Sequence, residues 1–91
     1  MSVTLQLPNV LSRLAGGART LSSEGGTLAD VVGDVSRRFP ELGPRLRDEK
    51  GELYPFVTIY LNDEDVRFLG GFSAPVRDGD VVTVVPAVAG G

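Results

Sequence analysis

Polar and apolar residues alternate at the start of the chain. Residues 2–7 read SVTLQL, and this period of two predicts a half-buried strand with three apolar side chains on one face, Val3, Leu5 and Leu7. The next segment, residues 8–17, contains Gly16 and Gly17 and is predicted to be a loop. Residues 18–22, ARTLS, then predict a short second strand that pairs antiparallel with the first.

The spacing of apolar residues becomes helical in the following segment. They recur on one face of a predicted helix, at Leu28, Val31, Val32, Val35 and Phe39. Thr27 is expected to begin this helix, and Asp30, three residues later, completes a variant of the capping box. Arg37 and Arg38 suit the negative carboxyl end of the helix dipole, and Pro40 ends the helix because it cannot continue the hydrogen-bond pattern.

The second half of the chain returns to strand-like patterns. Residues 40–52 are polar and interrupted by Pro and Gly, so we expect a short helical turn and a loop there. Residues 55–62, PFVTIYLN, predict a strand rich in β-branched and aromatic residues, with three apolar side chains on one face, Val57, Ile59 and Leu61. A turn at NDED, residues 62–65, leads to a short predicted return strand over residues 66–68.

The last apolar segment decides the predicted topology. After an RDGD turn at residues 77–80, residues 81–85 are apolar on both faces, which is typical of a strand inside a sheet. Such a central strand can neighbour the first strand only in parallel, by way of a helix that crosses one face of the sheet. The element order therefore predicts an α+β fold, a mixed sheet of four to five strands with one main helix packed across one face.

Composition restricts the chemistry that this fold can carry. The 91 residues have a formal net charge of −3 and include no Cys, no His and no Trp. Disulfides, thiolate nucleophiles, imidazole bases and the common transition-metal ligands are thereby excluded, and most carboxylates lie in polar, turn-like segments. We therefore expect a protein that is not itself an enzyme, has no metal site and does not bind nucleic acid. Without a leader or a membrane-spanning run, it is expected in the cytoplasm and away from membranes.

Three features near the end of the chain carry a family resemblance. They are the DGD at residues 78–80, the apolar strand that leads to Pro86, and the final pair Gly90 and Gly91. Together with the element order, they resemble the β-grasp sulfur carriers, relatives of ubiquitin. This family includes the small subunit of molybdopterin synthase, the carrier for thiamine thiazole synthesis and a carrier for cysteine biosynthesis. IYLNDEDVRF at residues 59–68 and the final PAVAGG most resemble the cysteine branch.

The resemblance implies a ubiquitin-like β-grasp domain over residues 1–86 and a flexible tail over residues 87–91. It implies that the Gly91 carboxylate is the reactive group. A ubiquitin-activating-type enzyme would adenylate it with ATP, and sulfur would displace AMP to leave a thiocarboxylate. The chain itself would hold no permanent cofactor. The implied partners are the activating enzyme, a sulfur donor such as a persulfide enzyme, a sulfur-accepting synthase such as a pyridoxal-phosphate sulfhydrylase, and a metalloprotease that releases the product.

Other functions stay open at this point. The carrier could serve molybdopterin, thiamine or a specialised metabolite instead of cysteine. The chain could also be a ubiquitin-like modifier whose Gly91 is joined to lysines of target proteins, or an interaction domain with an inert tail. Lys50 is the only lysine, which disfavours linkage of copies into chains but leaves single conjugation possible.

The terminal glycine pair gains its meaning from its position, because the chain contains four Gly-Gly pairs. Residues without side chains can enter a narrow active-site channel and adopt backbone angles closed to others. The preceding residues are predicted to stiffen the exit from the sheet and to lie extended along a partner: Pro86, Ala87, Val88 and Ala89. A second predicted contact lies on the sheet face opposite the helix, where either a docking patch or ordinary surface is formed by Tyr60, Thr83 and Val85.

Overall fold

Five strands form one mixed sheet in this computed structural model, which describes residues 2–86. Their order across the sheet is β2-β1-β5-β3-β4, and they are β1 (Val3–Gln6), β2 (Thr20–Ser23), β3 (Val57–Leu61), β4 (Glu64–Asp65) and β5 (Val81–Pro86). The α-helices are α1 (Asn9–Ser12) and α2 (Leu28–Arg38). The predicted α+β architecture, a mixed sheet with one main helix, is confirmed.

The closing strand β5 lies at the centre of the sheet, as its apolar pattern predicts. It runs parallel to β1, with Val82 opposite Leu5, and antiparallel to β3, with Val84 opposite Ile59. All four of these side chains are buried, and they belong to the same core as the apolar face of α2. The parallel pairing requires a long crossover connection, and α2 lies within it and covers one face of the sheet.

Helix α2 begins and ends where the sequence predicts. The Thr27 hydroxyl accepts a hydrogen bond from the Asp30 backbone N–H at 3.3 Å, and the Asp30 carboxylate accepts one from the Thr27 backbone N–H at 3.2 Å. This reciprocal capping box satisfies two N–H groups that the first turn leaves without helical partners. Arg37 and Arg38 occupy the last turn. No helix within residues 2–86 has the length and apolar character needed to cross a membrane.

The DGD turn joins the start of the described chain to its central strand. Asp78 accepts a hydrogen bond from the Ser2 backbone N–H at 2.7 Å, and the Gly79 backbone N–H donates to the Ser2 carbonyl at 2.9 Å. Gly79 has a φ of +87°, a backbone angle that side chains disfavour. Asp80 accepts from the Arg77 backbone N–H at 2.9 Å and closes the turn. The motif therefore holds β1 and β5 in register.

The segment after β1 is more ordered than the predicted loop over residues 8–17. It forms α1 and then a single 3-10 turn over Arg13–Ala15. The Pro8 carbonyl accepts from the backbone N–H groups of Leu11 and Ser12 at 3.0 and 2.9 Å. Leu11 and Ala15, four residues apart, are both buried in the core. The loop prediction is wrong here because a single apolar turn is too short to show helical periodicity in the sequence.

The return strand after β3 also differs from its prediction. Pairing with β3 occurs at Glu64–Asp65, immediately after a tight turn in which Asn62 has a φ of +56°. Residues 66–68, the predicted strand, instead form a 3-10 turn that Asp65 caps by accepting the Arg67 backbone N–H at 2.9 Å. Val66 is fully buried by this turn. An apolar-polar-apolar triplet fits both structures, and the cap decides between them.

Candidate functional site at the end of the central strand

The central strand ends at one rim of the sheet, at Pro86. Strand β1 pairs with β5 only as far as Thr83, while β3 pairs with it along its whole length, with Val57 opposite Pro86. The last residues of β5 are therefore held on one edge only, and Pro86 is half-buried at the rim. Gly91, predicted to carry the chemistry, lies outside the described residues, as do the predicted docking residues of the tail, Ala87, Val88, Ala89 and Gly90.

The predicted docking residues Tyr60, Thr83 and Val85 share the sheet face opposite α2. Tyr60 lies directly opposite Thr83 in the register, and Val85 follows two residues later along β5. Val85 is 39% exposed and is the most exposed of the three. The structure thus places the three residues on one accessible face, and their role in docking stays a prediction.

Most of this open face is polar. One row of side chains crosses all five strands: Thr20, Gln6, Thr83, Tyr60 and Asp65. Within it, the Thr83 hydroxyl donates to the Gln6 amide oxygen at 3.3 Å. Val85 is therefore an apolar side chain on a mostly polar face, close to the rim where β5 ends.

Two aspartates in the described residues have lowered pKa values, and both are paired with neighbouring groups. A hydrogen bond from the Ser23 hydroxyl, at 2.7 Å, and the charges of Arg38 and Arg37 lower the pKa of Asp34, although burial acts in the opposite direction. Hydrogen bonds from the Arg67 side chain and backbone lower the pKa of Asp65, and Asp65 in turn raises the pKa of Arg67. These shifts keep the carboxylates charged. Residues 2–86 contain no cluster of three His, Cys, Asp or Glu residues suited to a metal ion.

A groove beside Pro86 is the feature that the sequence did not predict. It has a volume of about 350 Å³. The residues that line it are Val10, Leu11 and Leu14 on the α1 side, and Arg45, Tyr54, Phe56, Val57 and Pro86. Val10 is 61% exposed and Phe56 59% exposed. We call it the root groove, because Pro86 forms part of its wall. Its residues come from four separated segments, so only the folded chain brings them together.

The comparisons with known proteins agree with this geometry. The ThiS family model matches residues 5–91, nearly the whole chain. The chain belongs to the ThiS family. It is 45% identical over 93 residues to the sulfur carrier protein CysO of Mycobacterium tuberculosis, with the whole of both chains covered.

Solved structures extend the likeness to three dimensions. A chain of the Amycolatopsis orientalis BexX/CysO complex matches with a TM-score of 0.90 at 43% identity, covering 98% of this chain and 99% of that one. The small archaeal modifier protein 1 of Methanosarcina acetivorans matches with a TM-score of 0.84 at 28% identity, covering 99% of this chain and 96% of that one. The predicted membership of the ubiquitin-like β-grasp sulfur carriers is confirmed, and the chain is similar to CysO.

Proposed function

We propose that this protein is a sulfur carrier whose Gly91 carboxylate is activated by adenylation and converted into a thiocarboxylate. The single observation that carries the proposal is the full-length likeness to a sulfur carrier protein, 45% identical with both chains covered. The geometry supports it, because the central strand ends at Pro86 on the rim of the sheet, next to the predicted tail. The chain itself is then a cosubstrate, and the partner enzymes supply the catalysis.

The proposed chemistry takes place in two steps. The Gly91 carboxylate oxygen attacks the α-phosphorus of ATP, so that an acyl-adenylate forms and pyrophosphate leaves. Hydrosulfide then attacks the acyl carbon and AMP leaves, which gives the thiocarboxylate. If the donor is a persulfide, an acyl disulfide forms first, and a second thiol cleaves its S–S bond to release the same product. The activation is needed because an unmodified carboxylate is a poor electrophile.

We further propose cysteine biosynthesis as the pathway, with a pyridoxal-phosphate sulfhydrylase as sulfur acceptor and a metalloprotease releasing the product from Gly91. The likeness of residues 59–68 and of the final PAVAGG to the cysteine branch supports this assignment. In the BexX/CysO complex a relative is assembled with another protein, which supports a comparable complex here. A molybdopterin, thiamine or specialised-metabolite carrier would differ in the accepting enzyme and share the same chemistry at Gly91.

The direct test is intact mass spectrometry after incubation with the cognate activating enzyme, ATP and hydrosulfide. We expect a mass increase equal to the replacement of one oxygen by sulfur, and no increase when ATP or the activating enzyme is omitted. A control chain that ends at Gly90 should keep its original mass under the same conditions. If the full chain also keeps its mass, the sulfur-carrier proposal is wrong.

A ubiquitin-like modifier is the second candidate, favoured by the match to the small archaeal modifier protein 1. In that case the activated Gly91 would form an amide bond with lysines of other proteins. Lys50, the single lysine of the chain, is exposed and could accept one further copy. Denaturing electrophoresis of a tagged chain from its native cells distinguishes the two functions, since conjugates survive denaturation and reduction whereas a thiocarboxylate leaves the chain at its own size.

A further inference from the structure

Exposed apolar side chains gather at the rim where the central strand ends. Four large hydrophobic side chains are exposed within residues 2–86: Val10 at 61%, Phe56 at 59%, Phe68 at 84% and Val85 at 39%. Val10 and Phe56 line the root groove together with Pro86, and Val85 immediately precedes Pro86 on the strand. Val10 and Phe56 therefore border the groove at the end of β5, and Val85 lies at the same end of the strand on the opposite sheet face. An exposed apolar groove of this kind marks an interaction site.

The walls of the root groove are fixed by contacts within the fold. The rings of Tyr54 and Phe56 pack edge to face with their centroids 5.3 Å apart. The Tyr54 backbone N–H donates to the Leu46 carbonyl at 3.1 Å, which ties this segment to the 3-10 turn that carries Arg45. On the opposite side, buried Leu11 anchors α1 and so positions Val10. A partner therefore meets a preformed groove, which reduces the entropy lost on binding.

The groove also has a cation at its edge. Arg45 is exposed, and no carboxylate within residues 2–86 forms an ion pair with it. Its guanidinium is therefore available to a ligand at the edge of the apolar groove. The complementary ligand is an apolar side chain flanked by a carboxylate, because a guanidinium binds carboxylates through paired hydrogen bonds.

We propose that the root groove binds an apolar side chain and a neighbouring carboxylate of the activating enzyme while Gly91 occupies that enzyme's active site. Five residues span at most about 17 Å when extended, so an enzyme that encloses Gly91 must lie within that distance of Pro86. The root groove lies within this distance, since Pro86 is part of its wall. The tail cannot fill the groove while it occupies the enzyme's active site. This inference rests on the proposed function and adds to it a contact that holds the carrier without touching the reacting atoms.

The test separates binding of the carrier from the chemical step. ATP–pyrophosphate exchange by the cognate activating enzyme is measured against carrier concentration for Phe56→Ala, Arg45→Glu and the control Phe68→Ala, which removes an aromatic ring outside the groove. We expect the KM for the carrier to rise about tenfold for each groove variant, with kcat within about twofold, since the lost contact is made equally in the ground and transition states. Arg45→Glu should also weaken the dependence of KM on salt.

Urea unfolding and sedimentation complete the test of the groove. Urea unfolding verifies that each variant is folded. If Phe56→Ala does not fold, Val10→Ser replaces it as the variant that removes an apolar side chain from the groove. The groove proposal is overturned if the groove variants keep the wild-type KM. It is also overturned if their KM falls, which would show that the groove holds the chain's own tail. A third contradicting result is a wild-type dimer in sedimentation that the groove variants fail to form, which would show that the groove binds a second copy. If the wild-type chain itself supports no exchange, the proposed function fails with it; if exchange is normal and KM unchanged, only the groove proposal fails.

Discussion

Asp34 shows how a single residue connects two elements of this fold. It lies on α2 and accepts hydrogen bonds from Ser23 at the end of β2, at 2.7 Å, and from Arg38 on its own helix, at 3.0 Å. Arg38 also donates to the Ser22 carbonyl at 2.7 Å. Ser23 is only 2% exposed, so its hydroxyl depends on Asp34 as its acceptor. The helix is thereby attached to β2, the strand at one edge of the sheet.

The first prediction concerns Asp34→Ala. It should lower the free energy of unfolding at pH 7 by about 1–3 kcal/mol, because the buried Ser23 hydroxyl loses its acceptor. The folded pKa of Asp34 lies below the ordinary value of 3.8, so the part of the stabilisation that depends on the carboxylate charge is present above that value and is lost as the pH falls through the folded pKa. Urea titrations at several pH values should therefore show the difference from wild type shrinking only below about pH 4. A full difference that persists in strong acid, or an equal loss in the exposed control Glu49→Ala, would contradict this role.

Val85 is an exposed apolar side chain on the proposed docking face. Val85→Asp should weaken binding to the activating enzyme by about tenfold, because a charge replaces an apolar side chain at the proposed docking face. Thr4→Asp, a charge on the same face but distant from the rim, provides the matched control and should bind as wild type does. Isothermal titration calorimetry measures both. Equal weakening by the two variants would show a general charge effect and remove Val85 from the proposed contact.

The elements that the sequence predicted are those with several periods of a regular pattern. Strand β1, helix α2 and strand β5 each repeat their apolar spacing, and the Thr27 cap and the DGD turn define where elements begin. Helix α1 has a single turn, and its stability comes from burying Leu11 against the core, which local sequence does not express. The root groove is harder still, because Val10, Arg45, Phe56 and Pro86 meet only through the tertiary fold.

The capping box at Thr27 contributes measurably to the stability of helix α2. Thr27→Ala should lower the free energy of unfolding by about 1 kcal/mol, because the Asp30 backbone N–H loses the side-chain oxygen that it bonds. Thr27→Ser retains that oxygen, so its free energy of unfolding should differ from that of wild type by about 0.3 kcal/mol or less. Urea-induced unfolding measures both variants. A Ser variant as unstable as the Ala variant would mean that the threonine methyl group, and not the cap, carries the effect.

In the whole molecule, the buried core and the proposed reactive group belong to different parts of the chain. The buried residues of the described core run from Val3 to Val84, and β5 completes the sheet at Pro86. The proposed reactive group lies five residues beyond this point. Under the proposed function, the fold supplies the exit from the sheet and the recognition surfaces, while the final residues supply the carboxylate. Such a division would let a chain without Cys or His take part in the proposed sulfur chemistry.

Deletion of Gly91 tests this division of roles. The shortened chain should change its melting temperature by less than about 2 °C, because the described core ends before the tail, and should show no activation. Gly90→Phe should behave in the same way if the active-site channel excludes side chains, while the matched Gly90→Ala should retain more activity. Thermal unfolding and ATP–pyrophosphate exchange measure the two effects. A large fall in melting temperature would show that the tail contributes to the fold.

In the proposed function, sulfur is carried on Gly91 itself. Fragmentation mass spectrometry of the intact sulfur-loaded chain tests it most directly, because each fragment reports whether it contains the substituted atom. We predict that every fragment containing Gly91 shows one oxygen replaced by sulfur and that every fragment lacking Gly91 has its unmodified mass. Sulfur on any fragment that lacks Gly91, or no substitution in fragments that contain it, would show that Gly91 does not carry the sulfur.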